Sequence, residues 1–87
     1  MTIKISKFGT LLLSRADGRE AFLAAKAYSI KAEDKEIILD FSEVEVLTPS
    51  WAGEFINGIK QDFANIPIKY ENDTAPSIKE SLEIVKN

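Results

Sequence analysis

Cysteine and histidine are both missing from the 87 residues. Their absence excludes disulfides, Cys/His zinc sites, Cys–His or Ser–His nucleophilic catalysis and an imidazole proton switch. Glycine (4) and proline (3) are scarce and scattered, so no stretch reads as a linker or a low-complexity tract, and no segment repeats. No apolar run approaches the roughly 20 residues of a membrane span, and the opening residues do not read as a signal peptide. Positive charge is the minority sign: 11 Lys and Arg against 14 Asp and Glu give a formal net charge of −3, which argues against nucleic acid as the default partner. Neither G-x-x-x-x-G-K-[ST] nor G-x-G-x-x-G occurs, so nothing supports a phosphate-cradling nucleotide loop. No cofactor or metal is expected from these residue types.

What remains is ordinary globular material, 45% hydrophobic and 29% charged. The length suits one domain over residues 1–87, burying roughly 60–65% of the surface its unfolded chain exposes. Thr2 to Lys7 alternates apolar and polar residues, the pattern of a strand with one buried face. Phe8-Gly9-Thr10 reads as a turn and Leu11 to Leu13 as a second strand, making a hairpin; the alternative puts these leucines at the start of a helix. Asp17-Gly18-Arg19-Glu20 has capping-box spacing, followed by a helix over Glu20–Ile30, with Phe22, Ala25 and Ser29 on one stripe. The apolar run Glu36 to Phe41 predicts a strand buried on both faces.

Ser42 to Leu47 reads as a connector leading to a helix that Thr48 caps and Pro49 begins. Ala52, Phe55, Ile56, Ile59 and Phe63 form its apolar stripe. Gly53 and Gly58 weaken that helix, so a close neighbour is expected at each. Ile66 to Glu71 is the last strand, which Pro67 confines to an edge or a strand start. Ser77 with Glu80 suggests a cap for a final helix lined by Ile78, Leu82 and Val85. The order β(β)αβαβα predicts an α/β fold: a small mixed, largely parallel sheet packed by about three helices, one face less covered and a candidate binding surface.

Charge is uneven along the chain. Residues 1–30 carry five basic and two acidic groups, residues 31–87 six and twelve. Asp40, Glu43, Glu45 and Glu54 fall near the carboxyl end of the second βα unit, where α/β sheets hold ligands. A divalent metal site is one reading; a solvated acidic loop at a helix start is the plainer one. A receiver-like phospho-aspartate at Asp40 lacks an acidic pair on the first strand, and a glycosidase pair lacks a cleft, so an enzyme is not expected. Ser50 falls in the first turn of its helix, where a phosphate would meet free backbone N–H groups. The plainer reading is that Thr48 and Ser50 only satisfy those groups. Trp51 is either a core aromatic or a half-exposed partner anchor. Arg15 and Arg19 flank Asp17 in an apparent surface ion-pair cluster, unless an arginine reaches the acidic group at the carboxyl end and ties the loops.

Several of these segments together resemble a known family. Phe8-Gly9, a leucine at 12 or 13, Ser14-Arg15 and Gly18, then Ile38-Leu39-Asp40-Phe41-Ser42-x-Val44 and Ser50-Trp51-Ala52-x-Glu54, resemble the STAS-like domains of unknown function (DUF4325), over about residues 3 to 71. Those domains carry "FG…L.SR..G", "LDFSGV" and "SFADE" segments. Here Glu43 stands for the glycine of "SGV", Trp51 for the phenylalanine and Gly53 for the aspartate. More distantly, Ile37 to Lys60 is similar in spacing to STAS domains such as bacterial anti-sigma-factor antagonists, whose "D-S-[ST]-G" helix start presents a serine to a kinase. Aligned without gaps, Thr48 takes the aspartate position, Pro49 that of the phosphorylated serine, Ser50 the next Ser/Thr and Trp51 the glycine.

The resemblance implies a cytoplasmic, bacterial-type, non-enzymatic signalling module that binds a protein partner, such as a kinase-like ATP-binding regulator. The surface expected on the residues comprises Thr48, Ser50, Trp51, Glu54, Asp40 and Glu43, with Ser50 and Thr48 as candidate phosphorylation sites. The alternative is a small-ligand or nucleotide sensor using the carboxyl-end crevice of the sheet. A self-assembly domain ranks third, because lysine and proline guard the strand edges.

Overall fold

The computed structural model describes residues 1–86. Its strands are β1 (Thr2–Lys4), β2 (Leu11–Leu12), β3 (Ile37–Asp40), β4 (Val46–Leu47) and β5 (Ile68–Glu71), and its helices are α1 (Arg15–Tyr28), α2 (Pro49–Asp62) and α3 (Pro76–Lys86). β1, β3 and β5 form a parallel sheet in that order, and β2 pairs with β4 in a second parallel pair. The arrangement is the expected α/β architecture. A strand order that always steps the same way, with right-handed crossovers, puts α1 and α2 on one face.

Burial agrees with that placement. Ile3 and Leu39 are buried with Tyr70 half-buried beside them, and this register row faces the helices. The next rows, Thr2–Ile38–Lys69 and Lys4–Asp40–Glu71, lie on the opposite, open face. β3 is therefore covered on one face only, correcting the expectation of burial on both: Ile38 and Asp40 alternate with buried Ile37 and Leu39. Pro67 directly precedes edge strand β5, so its missing N–H interrupts no ladder.

The amino-terminal hairpin is also corrected. β1 ends at Lys4, a 3-10 turn spans Ile5–Phe8, and Gly9 takes φ +128°, a conformation open mainly to glycine. The chain is thereby carried away from β1, and β2 pairs with β4 instead. β4 lies in the segment read as a connector. Its second side is closed by α3: the Leu47 N–H donates to Ser77 Oγ (3.1 Å), and Ser81 Oγ donates to the Leu47 carbonyl (2.6 Å). Ser77 is thus committed to β4 within the first turn of α3 rather than acting as its cap.

α1 begins earlier than Asp17 would have it. Ser14 is the cap, its Oγ accepting from the Asp17 N–H at 3.0 Å, and Asp17 favours the positive end of the helix from inside the first turn. α2 starts as expected, with Thr48 as cap and Pro49 in the first turn. The two helices run parallel: Gly18 lies on Trp51, Phe22 on Gly58, and Lys26 bonds Asp62 at 2.7 Å. They approach closely because a Cβ at Gly18 would fall on the Trp51 carbonyl, and one at Gly58 would lie 2.7 Å from the Phe22 ring. Gly53 has no such neighbour within 4 Å, so the expectation of a packing reason there is not met. A single apolar cluster joins all of this, from Ile3 and Ile5 through Phe22, Leu39, Trp51, Phe55 and Ile59 to Ile78 and Leu82.

Candidate functional site

The parallel packing of α1 and α2 brings their amino-terminal ends side by side. Along the outer seam lies a groove of about 300 Å³ lined by Arg15, Arg19, Pro49, Ser50, Gly53, Glu54, Asn57, Gly58 and Gln61. The spacing of both walls follows from helix geometry. Arg15 and Arg19 are i and i+4 on α1, while Ser50, Glu54, Asn57 and Gln61 recur at helical period on α2. That polar stripe is the complement of the buried stripe Ala52, Phe55, Ile56 and Ile59. Gly53 leaves open space beside it, where a side chain would otherwise stand.

The six site residues expected from sequence fall into four settings. Ser50 and Glu54 line the groove. Ser50 is exposed, and its hydroxyl makes no hydrogen bond among the described residues. Thr48 is half-buried and committed: its Oγ1 accepts from the Trp51 N–H (3.3 Å) and donates toward the carbonyls of Leu12 (3.1 Å) and Leu13 (2.9 Å). It ties the start of α2 to β2. Trp51 is a core residue, 2% exposed and stacked on Phe55 at 5.0 Å between centroids. The half-exposed anchor is thereby corrected. As the third residue of α2, Trp51 begins the inward stripe, and the outward side falls to Ser50 and Glu54.

Asp40 and Glu43 lie elsewhere, at the carboxyl end of β3. Asp40 Oδ1 accepts from the Ser42 N–H (2.9 Å) and from Asn72 Nδ2 (2.8 Å). The Asn72 hydrogen bond foremost, then the Ser42 N–H, hold its carboxyl below the ordinary aspartate range, with Lys4 adding a little. Glu43 pairs with Lys4 at 3.1 Å, both well exposed. These carboxylates are occupied with neighbouring strand and turn groups, and no hydrogen bond or ion pair among the described residues links them to the groove. No three acidic side chains converge as metal ligands among the described residues.

Arg15 does not pair with Asp17. Its Nε lies 3.7 Å from Glu54 Oε1, joining the start of α1 to α2 rather than decorating a cap. The contact is long, and the Arg15 side chain is 77% exposed. Arg19 has no ion pair among the described residues. Asn57 and Gln61 escaped the sequence reading, which followed the apolar period of α2 and not the polar period running opposite.

A family model described as a STAS-like domain of unknown function (DUF4325) matches residues 20–77. No curated protein and no solved structure matches the chain. The residues that carried the resemblance from separate segments, Arg15 and Gly18 on α1 and Ser50, Trp51 and Glu54 on α2, meet where the two helices touch. No helix among the described residues is long and apolar enough to cross a membrane.

Proposed function

The chain belongs to the family of STAS-like domains of unknown function, and from that premise we propose that it is a non-enzymatic signalling module docking a protein partner over the starts of α1 and α2. One observation carries this reading: the exposed hydroxyl of Ser50 opens onto a polar groove that two rigid, closely packed helices hold in place. Groups fixed on helices lose little freedom when a partner engages them. Phosphorylation is the proposed control. Ser50 is its acceptor, because the Thr48 hydroxyl is already engaged with the Leu12 and Leu13 carbonyls. A phosphate on Ser50 would add charge directly to the docking face. The setting proposed is that of the resembling modules, a bacterial cytoplasm with a kinase-like ATP-binding regulator as partner.

A small-ligand or nucleotide sensor is the weaker reading, since Pro49 is the one apolar side chain in a groove lining otherwise made of polar side chains and glycines, too little of a wall for a base. The deciding experiment is affinity capture from extract of the native host, with mass spectrometry of bound proteins and of the bait peptide covering residues 47–60. The proposal expects a partner that the wild-type chain retains and that Ser50→Asp and Asn57→Trp both lose, with phosphate confined to Ser50. A partner held equally by all three would overturn docking at this face, and phosphate on Thr48 alone would overturn the control.

A further inference from the structure

We infer that the α1–α2 groove recognises an acidic peptide segment, whose carboxylate is gripped by Arg15 and Arg19 in place of Glu54. The inference rests on the docking reading and names the chemistry of what docks. Each guanidinium offers five N–H donors in a planar fork suited to a carboxylate, and little of that capacity is in use. Arg15 meets Glu54 only at 3.7 Å, and Arg19 meets no acid among the described residues. Both arginines project from one side of α1 into the same cavity, with the hydroxyl of Ser50 and the amides of Asn57 and Gln61 on the facing wall. Those uncharged groups supply donors to a carboxylate without repelling it.

The surroundings favour the same ligand class. The positive ends of α1 and α2 lie side by side, adding to the potential of the two arginines. The molecule otherwise carries net negative charge, so an acidic segment is steered toward this groove and away from most of the surface. Glu54, the only carboxylate in the lining, acts as the internal competitor.

The test is an NMR titration of the full ¹⁵N-labelled chain with acetyl-tetraglutamate amide at constant ionic strength, and separately with inorganic phosphate. Saturable shifts are expected at the Arg15 and Arg19 Nε–H groups and at the Ser50 to Glu54 amides. Arg19→Gln weakens Kd by about tenfold or more, whereas Glu54→Gln tightens it. Gly53→Asp sets a carboxylate on the groove floor where a Cβ meets nothing within 4 Å, so it blocks the peptide while the spectrum stays that of the folded protein. The inference is overturned by scattered or non-saturating shifts, by equal binding in Arg15→Gln/Arg19→Gln, by weaker binding in Glu54→Gln, or by a response to phosphate alone. A partner captured through Ser50 while the peptide stays silent removes this inference and leaves docking intact. Peptide binding without any captured partner does the reverse.

Discussion

At Glu43 the backbone holds φ at +69°, the left-handed region that side chains with a Cβ enter at about 1–2 kcal/mol. The resembling domains place glycine at this point of the "SGV" segment, and here glutamate occupies it. What glutamate gains is an exposed pair with Lys4 at 3.1 Å, and exposed pairs contribute little. Glu43→Gly removes the left-handed strain but restores glycine's extra unfolded-state freedom, roughly 0.5–1 kcal/mol. The net expectation is a stabilisation of up to about 1 kcal/mol, read as a higher urea midpoint at unchanged slope. A lower midpoint would show that the Lys4 pair outweighs the strain. Thr48 teaches a related lesson: its cap role was legible from Thr-Pro alone, but its bonds to the Leu12 and Leu13 carbonyls depend on a strand some 35 residues away in sequence.

Elements were legible where a local rule determines them and illegible where a distant partner does. α2 follows from its cap, its proline and its apolar period. β3 follows from its apolar run, and β5 from the segment Ile66 to Glu71, where Ile68 and Tyr70 alternate with Lys69 and Glu71. β4 is two residues long and exists because β2 lies on one side of it and α3 on the other; no local periodicity announces such a strand. The start of α1 is ambiguous in sequence because Asp17 offers a capping pattern as good as that of Ser14, and only the backbone shows which oxygen accepts. The groove was half legible for the same reason: Ser50 and Glu54 stood out at a helix start, while its α1 wall needed the parallel packing that Gly18 and Gly58 permit. The serine pair on α3 is testable at this scale. Ser81 is 4% exposed and satisfies the Leu47 carbonyl, so Ser81→Ala leaves a buried acceptor unpaired and is expected to lower stability by about 1–3 kcal/mol. Ser77→Ala, at a half-buried site, should lower it less. Equal losses in urea unfolding would show that the two bonds act only through α3 propensity, not through β4.

For the molecule as a whole, the open sheet face is held by polar contacts that respond to acid, whereas the helix-covered face is held by apolar packing that does not. Asp40 couples the two ends of that difference: it sits on the open face, and its bonds to Ser42 and Asn72 tie the end of β3 to the turn after β5. Its carboxyl is held below the ordinary aspartate value of about 3.9. A group whose folded pKa is depressed contributes stability above its unfolded value, and loses it as pH falls through the folded one. The wild-type chain should therefore be more stable than Asp40→Asn from neutral pH down to about pH 4. The gap should then shrink steadily as the medium becomes more acid, and nearly close once both states of Asp40 are protonated. Urea midpoints taken from pH 7 to pH 2 measure this directly. A gap that stays constant across the acid limb would mean that the asparagine disturbs the turn geometry itself, and that the charge on Asp40 is not what joins β3 to β5.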